Sequence, residues 1–123
     1  MLDAATTNLI LYCAAWEATV RFYRDGLGLP VLMENDWFVE FGLGPTSRIS
    51  VADERRASIK SCGGAGVTVA IEVPDLQAAW DEAQAKDLRP TAITAHPWDA
   101  RVFHLSDPEG HRLEVWQRTG GGL

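Results

Sequence analysis

Residues 68–93, TVAIEVPDLQAAWDEAQAKDLRPTAI, decide the fold because they follow a strand–helix–strand order. Thr68–Val73 reads as a strand, and Asp75–Asp87 places its apolar side chains at helical spacing. Pro74 and Asp75 are residue types that begin helices. Leu88–Ile93 then predicts the start of another strand. The stretch therefore encodes one compact supersecondary unit.

The same order occurs earlier in the chain, with Asn8 lying 60 positions before Thr68. Asn8–Cys13 predicts a strand, Trp16–Asp25 a helix that ends at glycines, and Leu29–Met33 the start of a new strand. Such a repeat predicts two copies of one unit that share a core or a cleft. Clefts between elements are where small-molecule sites usually form.

Each half also contains two further predicted strands. These are Trp37–Phe41 and Arg48–Ala52 in the first half, and Val102–Ser106 and Arg112–Gln117 in the second. The last two strands flank Asp107-Pro108-Glu109-Gly110, whose residue types favour a hairpin turn.

Between the halves, the segment Asp53–Gly66 is charged and glycine-rich, which predicts an exposed linker. No Lys-Ser/Thr follows its glycines, so it does not match a phosphate loop. The glycine-rich tail Thr119–Leu123 is expected to fray.

Composition restricts the class of protein. A chain of 123 residues predicts one compact domain. Its net charge of −6 argues against nucleic acid as a partner, and no apolar run is long enough to span a membrane. Two cysteines without a basic and apolar leader predict a cytoplasmic location. Five tryptophans are an excess that suggests cores or aromatic pockets.

Two motifs resemble those of a known family. Residues 103–115, FHLSDPEGHRLEV, resemble the C-terminal motif of the glyoxalase/bleomycin-resistance/dioxygenase superfamily, also called the vicinal oxygen chelate (VOC) superfamily. Residues 22–29, FYRDGLGL, resemble its N-terminal motif. The resemblance implies an α+β fold in a single domain, 1–123, with two βαβββ modules at about 5–60 and 66–118. It also implies a cupped, eight-stranded mixed sheet with outer helices, and a homodimer.

The same resemblance implies where a metal would bind. Metal-dependent members carry ligands at four cup-facing positions, which fall on Asn8, Ser50, Thr68 and Glu114 of this chain. Only Glu114 is a usual ligand type, and catalytic metals need two or three such ligands. We therefore predict no bound divalent metal and no other cofactor.

Strand alternation and the resemblance together predict the ligand-binding residues. These are Asn8, Tyr12, Trp37, Phe38, Arg48, Ser50, Thr68, Glu72, Trp98, His104, Glu114 and Trp116. The facing of Trp37 and Phe38 is left open, and Trp98-Asp99-Ala100-Arg101 is expected to form a loop over the site. Trp16 and Trp80 are assigned to the helix cores. An aromatic cavity with carboxylates at Glu72 and Glu114 suits a flat, amphipathic or cationic ligand.

The three histidines differ in their predicted positions. His96 precedes a proline and is placed in a loop, and His111 is placed in the hairpin turn as an exposed residue. His104 faces the cup, where it forms with Glu114 the candidate acid–base or metal-binding pair.

Two functions follow from these features. The first is a metal-free small-molecule binding protein of the bleomycin-resistance type, without a catalysed reaction. The alternative is a metal-dependent lyase or isomerase resembling glyoxalase I, with Glu114 as base. A homodimer is expected because an open cup would expose a large apolar patch.

Overall fold

The computed structural model describes residues 1–119, so the predicted frayed tail beyond Thr119 lies outside the described residues. The chain forms two compact units, of which the first is Met1–Gly63 and the second begins at Gly64. In the first unit the strands are β1 (Thr7–Cys13), β2 (Val31–Glu34), β3 (Phe38–Leu43) and β4 (Ser47–Asp53). In the second they are β5 (Thr68–Glu72), β6 (Thr94–His96), β7 (Ala100–Ser106) and β8 (Arg112–Arg118). Helix α1 (Trp16–Arg21) continues into a π-helical turn at Phe22–Gly26, and α2 is Leu76–Ala85.

The strand order is the same in both units, which confirms the predicted α+β fold with two βαβββ modules. The eight strands form two four-stranded mixed sheets, with orders β1-β4-β3-β2 and β5-β8-β7-β6. In each sheet the first strand runs parallel to the last one of its module, and the remaining pairs are antiparallel. Two copies of one hydropathy pattern thus produce two copies of one topology.

One face of each sheet packs against its helix and forms the core of its unit. In the first sheet that face carries Leu11, Cys13, Val39, Phe41, Ile49 and Val51, all buried. In the second it carries Val69, Phe103, Leu105, Leu113 and Val115, also buried. Because side chains alternate across a strand, the intervening residues lie on the opposite face, here called the helix-free face. Leu113 and Val115 therefore face the helix, whereas Glu114 and Trp116, predicted as ligand-binding residues, lie on the helix-free face.

The start of α2 follows its sequence signal. The Asp75 carboxylate accepts a hydrogen bond from the Ala78 backbone nitrogen at 3.0 Å, as an N-cap does. Trp16 and Trp80 are each half-buried rather than fully enclosed. Their indole nitrogens donate to the Val51 and Thr91 carbonyls. These two tryptophans therefore anchor the helices to neighbouring backbone.

The segment after α2 does not form the strand predicted at Leu88–Ile93. Asp87 and Arg89 have positive φ angles of 57° and 58°, a conformation that does not occur in strands. Within this segment Thr91 is hydrogen-bonded to β7: its backbone nitrogen donates to the His104 carbonyl, and its hydroxyl accepts from the His104 backbone nitrogen.

Strand β6 begins only at Thr94 and ends at His96, so the prediction of a loop at His96 is also wrong. Likewise Ala100 and Arg101 belong to β7, so that of the four residues predicted as a loop over the site only Trp98 and Asp99 lie in the turn before this strand.

The segment Asp53–Gly66 is exposed in its middle but buried at two positions near its ends. Asp53 closes β4 and is 3% exposed, and Gly64 is buried. Arg55 holds the pKa of the Asp53 carboxyl below its usual value, chiefly through a side-chain hydrogen bond. The prediction of an exposed linker is therefore wrong at Asp53 and Gly64.

The turn between β7 and β8 is built around a buried carboxylate. Asp107 accepts hydrogen bonds from the backbone nitrogens of Glu109, Gly110 and His111 at 3.0, 2.9 and 2.9 Å. Its other oxygen lies 2.8 Å from Nδ1 of His111. His111 is 5% exposed, so the prediction of an exposed residue there is wrong. The carboxylate draws the imidazole inward because a buried polar group needs a partner.

Within the described residues, no helix combines the length and hydrophobicity needed to cross a membrane.

Candidate functional site

The helix-free face of the second sheet carries three cross-strand rows of functional side chains. The first row joins Ala70, Glu114 and His104. The second joins Glu72, Trp116 and Val102. The third joins Arg118, Ala100 and His96. Strand β8 contributes one residue to each row: the central residue of the first two rows and the terminal residue of the third.

These rows line a pocket of about 330 Å³ within the second unit. Its lining residues are Ala70, His96, Trp98, Ala100, Val102, Glu114, Trp116 and Arg118. Two of them are tryptophans, and the alanines leave space beside the longer side chains. The pocket is thus an aromatic depression with a carboxylate and a guanidinium in its wall.

Trp98 stands at the tip of the turn between β6 and β7. It is 80% exposed, the most exposed tryptophan or phenylalanine of the described chain. Asp99 has a positive φ of 56°, and the backbone nitrogen of Trp98 donates a hydrogen bond to Nδ1 of His96 at 3.4 Å. The Trp98 and His96 rings lie 6.5 Å apart. An exposed indole on a pocket wall is free to cover a flat ligand.

Glu114 is paired with His104 across β7 and β8. Oε1 of Glu114 lies 3.2 Å from Nε2 of His104, and the two side chains are 29% and 31% exposed. The structure therefore places His104 against Glu114. The pair can present a hydrogen-bond acceptor to a ligand, and its two groups can exchange a proton.

Arg118 is a site residue that the sequence analysis missed. Its guanidinium carbon lies 5.3 Å from the centre of the Trp116 ring, within the range of a cation–π contact. Its Nε and Nη2 atoms lie 3.4 and 3.5 Å from the Glu72 carboxylate. The predicted strand ended at Gln117, one residue too early. Continuing the alternation of Glu114 and Trp116 by two positions would have found Arg118.

The predicted residues of the first half lie on the helix-free face of the first sheet. Ser50 is fully buried and donates to Oδ1 of Asn8 at 2.8 Å. Arg48 pairs with Glu40 at 2.8 Å, and the Glu40 side chain is only 14% exposed. Glu40 alternates with Phe38 along β3, a signal that the sequence analysis did not use. The structure thus brings Asn8, Arg48 and Ser50 together and adds Glu40.

The structure shows which side of the first sheet Phe38 and Trp37 occupy, which the sequence left open. Phe38 pairs with Ala52 in the register of β3 and β4, which puts it on the face of Ser50 and Tyr12. Trp37 precedes β3, and its ring packs edge-on against that of Phe38 at 5.6 Å. Phe38 therefore belongs to the helix-free face, and Trp37 flanks it.

All four positions at which the family resemblance places metal ligands are engaged in hydrogen bonds within the protein, and Glu114 is the one paired with His104. Asn8 and Ser50 bond to each other, and the Thr68 hydroxyl accepts from Arg112 at 3.1 Å. Among residues 1–119, no three or more His, Cys, Asp or Glu side chains cluster as a metal site requires. The donor set therefore does not fit a catalytic transition metal. The absence of a bound metal remains a prediction.

Comparisons with known proteins agree with this geometry. A sequence model of the Glyoxalase/Bleomycin resistance protein/Dioxygenase superfamily matches residues 6–115. A glyoxalase/bleomycin resistance protein/dioxygenase from Nocardioides is 23% identical with a TM-score of 0.81, over 99% of this chain and 88% of that one. Lactoylglutathione lyase from Agrobacterium tumefaciens is 18% identical with a TM-score of 0.77, over 95% and 96% of the two chains. TnmS3, an antibiotic binding protein from Streptomyces sp. CB03234, is 16% identical with a TM-score of 0.80, over 97% and 99%. At these identities, the structural likenesses establish a shared fold.

Proposed function

Because the chain belongs to the Glyoxalase/Bleomycin resistance protein/Dioxygenase superfamily, we propose that it is a metal-free small-molecule binding protein. The proposed ligand is an amphipathic or cationic aromatic compound, bound without a catalysed reaction. The observation that carries this proposal is the pocket of about 330 Å³ lined by Trp98, Trp116 and Glu114. A pocket of this size, mostly apolar and with a few polar groups, is typical of small-molecule sites.

The nature of the side chains supports binding by stacking. Trp98 is exposed at one wall of the pocket, and Trp116 lines the same pocket from strand β8. Flat aromatic ligands gain both buried area and favourable ring geometry from such residues. TnmS3, which shares the fold, is described as an antibiotic binding protein. Aromatic antibiotics are therefore the first compounds to test.

Trp98→Ala is expected to weaken binding about three- to tenfold, which is the range for one lost aromatic contact. The indole is 80% exposed, so its removal should leave folding unchanged. Thermal shift with a panel of cationic and neutral aromatic antibiotics would identify a ligand, and titration calorimetry would give its Kd for both proteins. Ile59→Ala is the matched control, since Ile59 is an exposed apolar residue of the first unit. Equal Kd values for wild type and Trp98→Ala would contradict a site at this pocket.

The alternative function is a metal-dependent lyase or isomerase that uses Glu114. The His104–Glu114 pair favours it, because a carboxylate and an imidazole 3.2 Å apart can share proton-transfer work. Lactoylglutathione lyase has the same fold, which makes thiol–aldehyde adducts the substrates to test. Stoichiometric nickel, zinc, iron or manganese in protein purified without a histidine tag would favour this alternative over the first function.

Glu114→Gln separates the two functions. In a binding protein, the change should weaken ligand binding by about 1–3 kcal/mol, the value of a hydrogen bond to a charged group. In an enzyme, the same change should lower the rate at least ~100-fold, because it removes the base. The measurement pairs a binding titration with a turnover assay on thiol–aldehyde adducts. A turnover signal that disappears in Glu114→Gln would overturn the binding proposal.

We also propose a homodimer. Strand β2 is an edge of the first sheet, and its Val31, Leu32 and Met33 are 36%, 52% and 44% exposed. An apolar edge strand of this kind is a surface that proteins normally cover. Sedimentation velocity should give a species of twice the 13.5 kDa chain mass. A concentration-independent species at 13.5 kDa would contradict the dimer.

A cytoplasmic location is part of the same proposal. Cys13 is buried and Cys62 is exposed, and the two are not joined by a disulfide. Thiols in this state are typical of a reducing compartment.

A further inference from the structure

We infer that the ligand of this pocket has opposite polarity at its two ends, with a cationic or hydrogen-bond-donating group at Glu114 and an acidic group at Arg118. The flat aromatic part would lie between them on Trp116. This inference rests on the proposed function, because it describes the ligand of the same site.

Strand β8 places the two charged groups on either side of an aromatic ring. Glu114, Trp116 and Arg118 alternate on one face of the strand. The Cα atoms of Glu114 and Arg118 are four residues apart, or about 13 Å at the rise of a β-strand. The order along this line is acid, aromatic ring, base. A ligand with a ring system flanked by two polar groups matches that order.

The neighbouring strands extend each end of the line. At the Glu114 end the row contains Ala70 and His104. At the Arg118 end it contains Ala100 and His96. The small alanines leave both charged side chains accessible from the pocket, whose lining includes Glu114 and Arg118 themselves. The second imidazole, at His96, adds a hydrogen-bond donor to the basic end when it carries its proton on the nitrogen that faces the pocket.

Glu114 keeps an oxygen for a ligand. Oε1 lies 3.2 Å from His104, whereas Oε2 makes no hydrogen bond within residues 1–119. His104 is itself fixed, because its backbone nitrogen donates to the Thr91 hydroxyl at 2.8 Å. The carboxylate is therefore oriented from one side and available on the other. A ligand ammonium or amine would complete its hydrogen bonding.

Arg118 is held weakly enough to change partner. Its contacts to Glu72 are 3.4 and 3.5 Å long, and the two side chains are 57% and 47% exposed. Exposed ion pairs of this kind contribute little to stability. A ligand carboxylate could meet the planar guanidinium with two parallel hydrogen bonds. The stacking of the guanidinium on Trp116 at 5.3 Å would keep it beside the ligand ring.

The position of Arg118 also bears on purely cationic ligands. A ligand with positive charge alone would meet the Arg118 guanidinium where it lies over Trp116, so the two cations would repel each other. A ligand with an acid at that end instead gains an ion pair. Of the proposed ligand types, the amphipathic one with an acidic end is therefore the better match.

The test uses three naphthalene probes that differ only at their ends. 6-(Aminomethyl)-2-naphthoate carries both charges, 6-methyl-2-naphthoate lacks the ammonium, and 6-(aminomethyl)-2-naphthamide lacks the carboxylate. Titration calorimetry would give the Kd of each probe for wild type, Arg118→Gln and Glu114→Gln. Arg101→Gln is the matched control, since Arg101 lies on the neighbouring strand β7 with its side chain on the opposite face.

Wild type and Arg101→Gln should bind the doubly charged probe about fivefold more tightly than either of the others, as expected for one partly exposed ion pair. Arg118→Gln should remove the preference for carboxylate over carboxamide and keep the preference for ammonium over methyl. Glu114→Gln should remove the preference for ammonium over methyl and keep the preference for carboxylate over carboxamide. Binding of all three probes with preferences unchanged in both variants would overturn the inference and leave the aromatic pocket standing. No binding of any probe would overturn both the inference and the proposed pocket.

Discussion

Asp107→Ala is expected to lower the free energy of unfolding by about 3–4 kcal/mol. The carboxylate is fully buried and accepts from three backbone nitrogens, and its second oxygen lies 2.8 Å from the His111 imidazole. Alanine would remove this shared acceptor, although the Gly110 nitrogen would keep its hydrogen bond to the Asp107 backbone carbonyl at 3.0 Å. Each buried donor left unsatisfied costs about 1–3 kcal/mol. The lower total allows for water reaching the donors at the exposed side of the turn. Urea unfolding followed by circular dichroism measures the change.

Two controls make this result specific to the turn. Asp81→Ala removes an exposed aspartate whose oxygen accepts from Gln77 on α2, and should change stability by no more than about 0.5 kcal/mol. Asp107→Asn keeps one acceptor oxygen, so its free energy of unfolding should lie between those of Asp107→Ala and wild type. A loss below about 1 kcal/mol for Asp107→Ala would contradict the role given to this carboxylate. The turn matters for function because it joins the strands that carry His104 and Glu114.

Gly64→Ala is expected to lower the free energy of unfolding by at least about 3 kcal/mol, because two unfavourable effects combine. Gly64 has a φ of +81°, which an L side chain adopts only at a cost of about 1–2 kcal/mol. A Cβ at this position would also overlap the Gly110 carbonyl group and the His111 backbone nitrogen. Backbone cannot rotate away as a flexible side chain can, so the turn after β7 would have to move. Thermal and urea unfolding both measure the loss.

Gly66→Ala provides the matched control for the close contact. Gly66 has a nearly equal φ of +78°, but a Cβ there would meet nothing within 4 Å. It should therefore show the conformational cost alone, and the difference between the two variants isolates the close contact with the turn. Equal losses in Gly64→Ala and Gly66→Ala would mean that the backbone of the turn yields to the added methyl group.

The fold could be predicted because its signals are local and repeated. Alternation in Thr68–Val73, the Asp75 cap and the Asp107–Gly110 turn each specify their own element. The failures occur where side-chain hydrogen bonds decide. His111 is buried because a carboxylate four residues away accepts its ring hydrogen bond, and this could not be inferred from a turn pattern alone. Thr91 joins β7 through a side-chain hydroxyl, which strand propensity does not describe.

The candidate site was predictable in kind but not in its pairings. Alternation along β8 placed Glu114 and Trp116 on one face, as observed. It could not show that Glu72 meets Arg118 or that Arg48 meets Glu40, because ion pairs depend on the register between strands. The charge of the ligand was therefore predicted from carboxylates alone. With Arg118 included, the same face has a basic end as well.

The proposed function requires that an aromatic ligand bind in the pocket of Trp98 and Trp116 without a metal. Titration calorimetry would test it with the tightest-binding antibiotic of the panel, using protein dialysed against EDTA and the same protein with Zn²⁺ added. The same Kd is expected in both samples, and Trp98→Ala is expected to bind the antibiotic about three- to tenfold more weakly. Binding that appears only with Zn²⁺, or that Trp98→Ala leaves unchanged, would contradict the proposed function.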